Sequence, residues 1–196
     1  MYKKQMIMQK IVCFIMLASS VVTFAYSLGI MSDLYESFYY SIRSTENPDR
    51  NPIAGSLIYY DMQAFNKSFL HAGIALILIS LLLFVTNTHI RRRYYVGNVF
   101  AVMANVIANI AVTVWASGQI DMYKNKFLTE VDFQAFRDYA DLMNSYYTES
   151  TFWFDVHIYV FGFSIISCLL LTGTLVWKFV LMDGEKKLLQ SGKEAA

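Results

Sequence analysis

Charge is missing from four long stretches of this sequence: residues 11–32, 68–90, 94–120 and 156–177 contain no Asp, Glu, Lys or Arg. A helix rises about 1.5 Å per residue and the hydrocarbon core of a bilayer is about 30 Å thick, so roughly 20 apolar residues cross it once. Four such stretches exclude an ordinary water-soluble domain. They predict an all-α integral membrane protein, a four-helix transmembrane bundle with spans at about 11–31, 68–88, 95–116 and 153–177. Between and after the spans lie two long loops, 32–67 and 117–152, and a tail, 178–196.

Proline and cysteine are each present only twice. Pro48 and Pro52 both fall in the first long loop. The spans are therefore free of the breaks from which many transporters build ion sites at the membrane midplane. Cys13 lies near the start of span one and Cys168 well inside span four, so their depths differ and no bridge between them is expected. The long loops have no cysteine and must hold their shape by packing. No CxxC occurs, which excludes quinone-linked thiol oxidoreductases, and no lipobox surrounds Cys13. A P-loop, a GxSxG elbow, a dinucleotide fingerprint and a charged residue at mid-membrane are all lacking.

The charges that do occur are divided by side. The amino terminus, the 89–93 turn and the tail hold ten of the sixteen Lys and Arg: Lys3, Lys4, Lys10, Arg91, Arg92, Arg93, Lys178, Lys186, Lys187 and Lys193. The same segments carry only Asp183, Glu185 and Glu194 among the acids, which leaves twelve acids and six bases to residues 33–67 and 121–155. Positive charge near span ends stays in the cytoplasm. The pattern therefore places both termini inside a cell membrane and both long loops outside. Trp153 and Trp177 bracket span four, separated by about 36 Å at the helical rise, as interfacial rings should be. Tyr94, Tyr95 and Trp115 bracket span three in the same way.

Span one has a rival reading as a cleaved signal peptide, because Lys3, Lys4 and Lys10 precede an apolar run and Ala18, Ser19 and Ser20 are small. The run continues through Val21, Val22, Phe24, Tyr26, Leu28 and Ile30, beyond the roughly 7–15 residues of a signal core, which favours a retained anchor.

The long loops are patterned. Phe133, Phe136, Ala140, Met143 and Tyr147 recur at helical spacing, and Thr129 with Asp132 marks a start. An acidic face makes this helix a poor ligand for anionic lipid, so its apolar face should meet the first loop or a partner. Leu34, Phe38 and Ile42 are spaced to prolong span one, and the Asn47-Pro48 and Asn51-Pro52 pairs then force a turn. Leu57, Ile58, Tyr59 and Tyr60 are too apolar for free solution. Together these segments predict a small, partly helical extracytoplasmic cap. Asp61-Met62-Gln63-Ala64-Phe65 echoes Asp132-Phe133-Gln134-Ala135-Phe136, and residues 26–29 resemble residues 115–118; duplication and coincidence account for this equally well.

Two sets of residues carry chemistry. Asn98, Asn105 and Asn109, separated by seven and four residues, fall within about 40° of one face of span three. Amides are poorly solvated by lipid, so this face turns inward or toward another protein. A hydrogen-bonded seam is favoured over a conduction path. Ser164, Cys168 and Thr172 form a matching narrow ridge on span four. His71 and His157 enter spans two and four at similar depth from the outer side, near Asp155, Asp61 and Glu149. Two imidazoles at one depth suit acid–base work on an outer-leaflet substrate or a share in a metal site. No HxxxH or HxxE pair supports them, however, and two histidines do not complete a zinc or copper site. Structural histidines are the preferred reading.

The sequence thus points to a non-enzymatic accessory or structural subunit of a larger membrane assembly, for instance a transport complex. Its expected partners are the bilayer and other membrane subunits or further copies of itself. No cofactor, metal or nucleic acid is expected. The rivals are a small membrane enzyme, such as an acyl transferase, working through His71, His157 and Asp155, and an oligomeric channel or carrier lined by Asn98, Asn105 and Asn109.

Overall fold

A computed structural model of the chain describes residues 2–30, 53–55, 58–87, 96–143 and 149–194. Among these residues there are six helices and no strand: α1 (Tyr2–Gly29), α2 (Ile58–Asn87), α3 (Val96–Glu130), α4 (Phe133–Met143), α5 (Phe152–Asp155) and α6 (His157–Glu194). The stretches Lys3–Gly29, Asp61–Asn87, Asn98–Glu130 and Phe152–Leu188 are long and apolar enough to cross a membrane. Each long helix exceeds the crossing expected from charge alone. Helix α2 starts ten residues before residue 68, so Ile58 opens that helix, and α3 runs fourteen residues past 116. Uncharged length marks where lipid is tolerated, whereas a helix continues for as long as its own bonds and packing support it. Leu34, Phe38, Ile42, both Asn-Pro pairs, Leu57, Arg91, Arg92, Arg93, Tyr94, Tyr95 and Tyr147 lie outside the described residues.

The chain divides into two compact units. The first comprises Met1–Val21, Ala75–Ala111 and Gly162–Ala196 and draws on α1, α2, α3 and α6. Its apolar core is Val12, Cys13, Met16, Leu83, Val102, Cys168, Leu171 and Leu175. Both cysteines are free and buried in this one cluster. The inward ridge of α6 takes in Ser164 and Cys168 as expected but then follows Leu171 and Leu175 rather than Thr172. Thr172 is exposed and returns its hydroxyl to the Cys168 carbonyl. Four-residue steps drift around a helix with about 3.6 residues per turn, so a third member at i+8 leaves the face.

The second unit comprises Val22–Ile74 and Val112–Phe161. Its core is aromatic: Tyr26, Phe65, Phe69, Tyr123, Phe127, Phe136, Phe154 and Phe161, joined by Ile30, Ile53, Ile58, Met62, Ile120, Val131 and Val160. Phe65 stacks on Phe69 with centroids 5.6 Å apart, and Trp115 lies against both. The amphipathic helix predicted from residue 129 is α4. It buries Phe136 and packs Phe133 edge-on to Phe127 at 5.0 Å. Its N-cap is Asp132, whose Oδ1 accepts the N–H groups of Gln134 and Ala135 at 3.1 and 3.0 Å. Thr129 is still in α3 and gives its hydroxyl to the Asn125 carbonyl, so the start falls later than the sequence pattern indicates.

Residues 53–55 fasten to the α3–α4 junction. Asp132 N–H donates to the Ala54 carbonyl at 3.1 Å, and Ile53 is buried in the core. Gly55 has φ +77°, and a Cβ there would run into the Glu130 carbonyl and the Val131 backbone. Only glycine meets both demands.

Candidate functional site

Nine buried polar residues of the first unit form two uncharged hydrogen-bonded chains. An amide or hydroxyl sealed from water costs several kcal/mol without a partner, so the bonds of each position matter. In the longer chain, Ser164 on α6 donates to Asn109 Oδ1 at 3.1 Å. Asn109 Nδ2 donates to the Asn105 carbonyl and Oδ1 at 2.9 and 3.0 Å, and Asn105 Nδ2 donates to Ser80 Oγ at 2.9 Å. Ser80 and Ser20 hydroxyls are 2.7 Å apart. Ser20 gives its own proton to the Met16 carbonyl, so the proton between the two serines belongs to Ser80. The chain therefore has one direction, Ser164 to Asn109 to Asn105 to Ser80 to Ser20 to Met16, and crosses α6, α3, α2 and α1.

The shorter chain gathers near the start of α1. Gln5 Nε2 donates to Gln9 Oε1 at 2.9 Å and to the Thr174 carbonyl at 3.2 Å. Gln9 Nε2 is shared between Asn87 Oδ1 and Asn98 Oδ1, the latter at 3.3 Å. Asn87 in turn donates to the Leu83 carbonyl at 2.8 Å. Asn98, Asn105 and Asn109 are all buried, as their common face requires, yet Asn98 serves the shorter chain and Asn105 and Asn109 the longer. Asn98 meets α1, Asn105 meets α2 and Asn109 meets α6.

The histidine candidates lie in the second unit. His157 is buried, and because a carbonyl can only accept, its contact with the Phe154 oxygen places the proton on Nδ1. Its Nε2 then faces Asp121 Oδ1 at 3.7 Å, and its ring rests on Phe161. Asp155 is held by Lys124 and by the Thr151 hydroxyl at 2.7 Å. His71 is exposed, and no hydrogen bond, ion pair or ring contact joins it to His157 among the described residues. Glu149 pairs with Arg137, and Asp61 offers its carbonyl to the Tyr123 hydroxyl. Among the described residues, no group of three or more His, Cys, Asp or Glu is arranged to hold a metal ion. Asn66 is buried, and Ser68 returns its hydroxyl to the Ala64 carbonyl.

Sequence reasoning singled out the asparagines of α3 but not Gln5, Gln9, Ser20, Ser80 and Asn87, which complete their bonds. A signal for them exists: Ser80 and Asn87 repeat the seven-residue step of Asn98 and Asn105, and Gln5 and Gln9 stand one turn apart. Compared with models of known families, with curated proteins and with solved structures, the chain finds no match in any of the three.

Proposed function

We propose that the chain is a multi-pass protein of the cell membrane, with both termini cytoplasmic, that serves as a non-enzymatic accessory or structural subunit of a larger membrane assembly such as a transport complex. The directional chain from Ser164 to Met16 carries this reading. Its amides and hydroxyls are committed to one another across four helices, which suits a scaffold of defined register. Amide links also relay no protons, which weighs against a proton-coupled carrier along this route. Meanwhile large apolar side chains face away from the protein on α3 and α6, among them Phe100, Val114, Tyr159 and Leu169. These faces suit lipid and neighbouring subunits.

The test is purification of the tagged chain in mild detergent with mass spectrometry of what accompanies it. A second polypeptide at a stoichiometric ratio is the expected result. A monodisperse species made of this chain alone overturns the reading. The rivals are addressed by ion flux in reconstituted vesicles with and without Asn105→Leu, and by His71→Ala and His157→Ala in an acyl-transfer assay on outer-leaflet lipid.

A further inference from the structure

His157 and Asp121 turn two acceptors toward one another within the second unit. The Phe154 carbonyl takes the Nδ1 proton of His157, so Nε2 of the neutral ring is a bare lone pair, and Asp121 Oδ1 lies 3.7 Å from it. That separation is longer than a hydrogen bond, which extends to about 3.2 Å. It is also shorter than the roughly 4.5 Å that a water spans when it donates to two acceptors at about 2.8 Å each. An ion with bonds of about 2.1 Å to nitrogen and oxygen, as zinc makes, joins atoms 3.7 Å apart at an angle of about 125°. The gap therefore fits a metal ion better than a shared proton or a water. Among the described residues, neither His157 Nε2 nor the Asp121 carboxylate has a hydrogen bond. Nε2 is not one of the polar atoms sealed from solvent without a bond, and the Asp121 side chain is 66 % exposed, so an ion reaches the pair from the Asp121 side.

We infer that His157 Nε2 and Asp121 Oδ1 bind a divalent transition-metal ion of the zinc class, with water in its remaining positions. Imidazole and carboxylate are both ordinary ligands of such ions. A histidine that holds a metal usually donates its other ring N–H to a carbonyl or carboxylate, and the bond from Nδ1 to the Phe154 oxygen is that support, already in place. It fixes the tautomer and aims the lone pair before the ion arrives. The surrounding charge suits a cation as well. Lys124 is taken up by Asp155, so among the described residues the Asp121 carboxylate has no lysine or arginine of its own. Two protein ligands are fewer than the three or four of resident zinc sites, so this ion exchanges with solution. While bound, it ties α3 to the first turn of α6 beside the α5–α6 junction.

The site does not depend on the subunit role proposed above. It is tested on the full chain in detergent, freed of purification tag and of chelatable metal, by thermal melting with added zinc or magnesium. Zinc at about a hundred times its dissociation constant should raise the melting temperature by about 5 °C or more. Magnesium, which takes oxygen ligands, should not. Asp121→Asn, at an exposed position, removes the charge with little change of shape and should weaken zinc binding by about tenfold or more. His157→Asn should do the same, because its amide N–H can replace the bond to Phe154 while nothing stands in for Nε2. His71→Asn should keep the zinc effect. Absence of a rise with zinc, an equal rise with magnesium, a rise that survives Asp121→Asn, or one that is lost in His71→Asn overturns the inference. Asp121→Asn decides the matter by itself if His157→Asn does not fold.

Discussion

Gly55 holds a backbone angle of φ +77° while the Glu130 carbonyl passes where a β-carbon would stand. Alanine there meets two penalties, the left-handed backbone and the collision with main-chain atoms that are themselves fixed by the Asp132-to-Ala54 bond. Gly55→Ala should therefore lower stability by about 2 kcal/mol or more, measured by denaturant titration, while Ala54→Gly at the exposed neighbour should cost only a fraction of that. Equal effects at the two positions would show that the turn is not conformationally constrained. Asn105 presents the opposite kind of constraint, set by partners rather than by space. Its amide joins Ser80 to Asn109, so Asn105→Leu removes a donor from one and an acceptor from the other. A loss of about 1 kcal/mol is expected, and Ser80→Ala in the Asn105→Leu background should cost less than Ser80→Ala alone, because the shared bond is already gone.

At the scale of elements, α4 offers a discriminating pair of substitutions. Asp132→Ala removes the oxygen that accepts two N–H groups at the helix start and should cost about 1 kcal/mol, whereas Thr129→Ala deletes only a hydroxyl bonded within the last turns of α3 and should be near neutral. A larger loss at Thr129 would restore the earlier start that the sequence pattern favours. The four long helices were legible because lipid solubility is written in composition: uncharged stretches, absent proline and tryptophans near their ends need no tertiary knowledge. The ends of the helices were not, because residues 58–67 and 117–130 carry charges that do not stop a helix, and only their burial against the aromatic core decides it. Similarly, the buried face of α3 followed from the spacing of three asparagines. Their partners did not, since Gln5 and Gln9 stand among lysines and read as a polar flank until Asn87, Asn98 and Thr174 are brought to them. His157 was visible as a candidate, but its bond to Phe154 depends on the α5–α6 junction, which no periodicity announces.

For the molecule as a whole, the charges sort by unit. The described side chains of the first unit include Lys3, Lys4, Lys10, Lys178, Lys186 and Lys187 against Asp183 and Glu185. Those of the second include Asp61, Asp121, Glu130, Asp132, Asp138, Asp141, Glu149 and Asp155 against Lys67, Lys124, Lys126 and Arg137. A helix of 35 residues such as α3 is about 52 Å long, so it exceeds a hydrocarbon core of about 30 Å by some 20 Å. In the proposed crossing that excess emerges in water, and α3 carries its charges, Asp121, Lys124, Lys126 and Glu130, only toward its C-terminal end. The opposite end of α3 follows Arg91, Arg92 and Arg93, and the proposed topology, in which positive charge stays on the cytoplasmic side, puts these residues inside. In a background where Cys13 and Cys168 are replaced by alanine, Arg92→Cys should therefore react with a membrane-impermeant maleimide only after the membrane is opened. Asp138→Cys, exposed on α4, should react in intact cells. Labelling of both positions from one side would mean that α3 does not cross the bilayer, since the described residues between 92 and 138 include no other stretch able to do so.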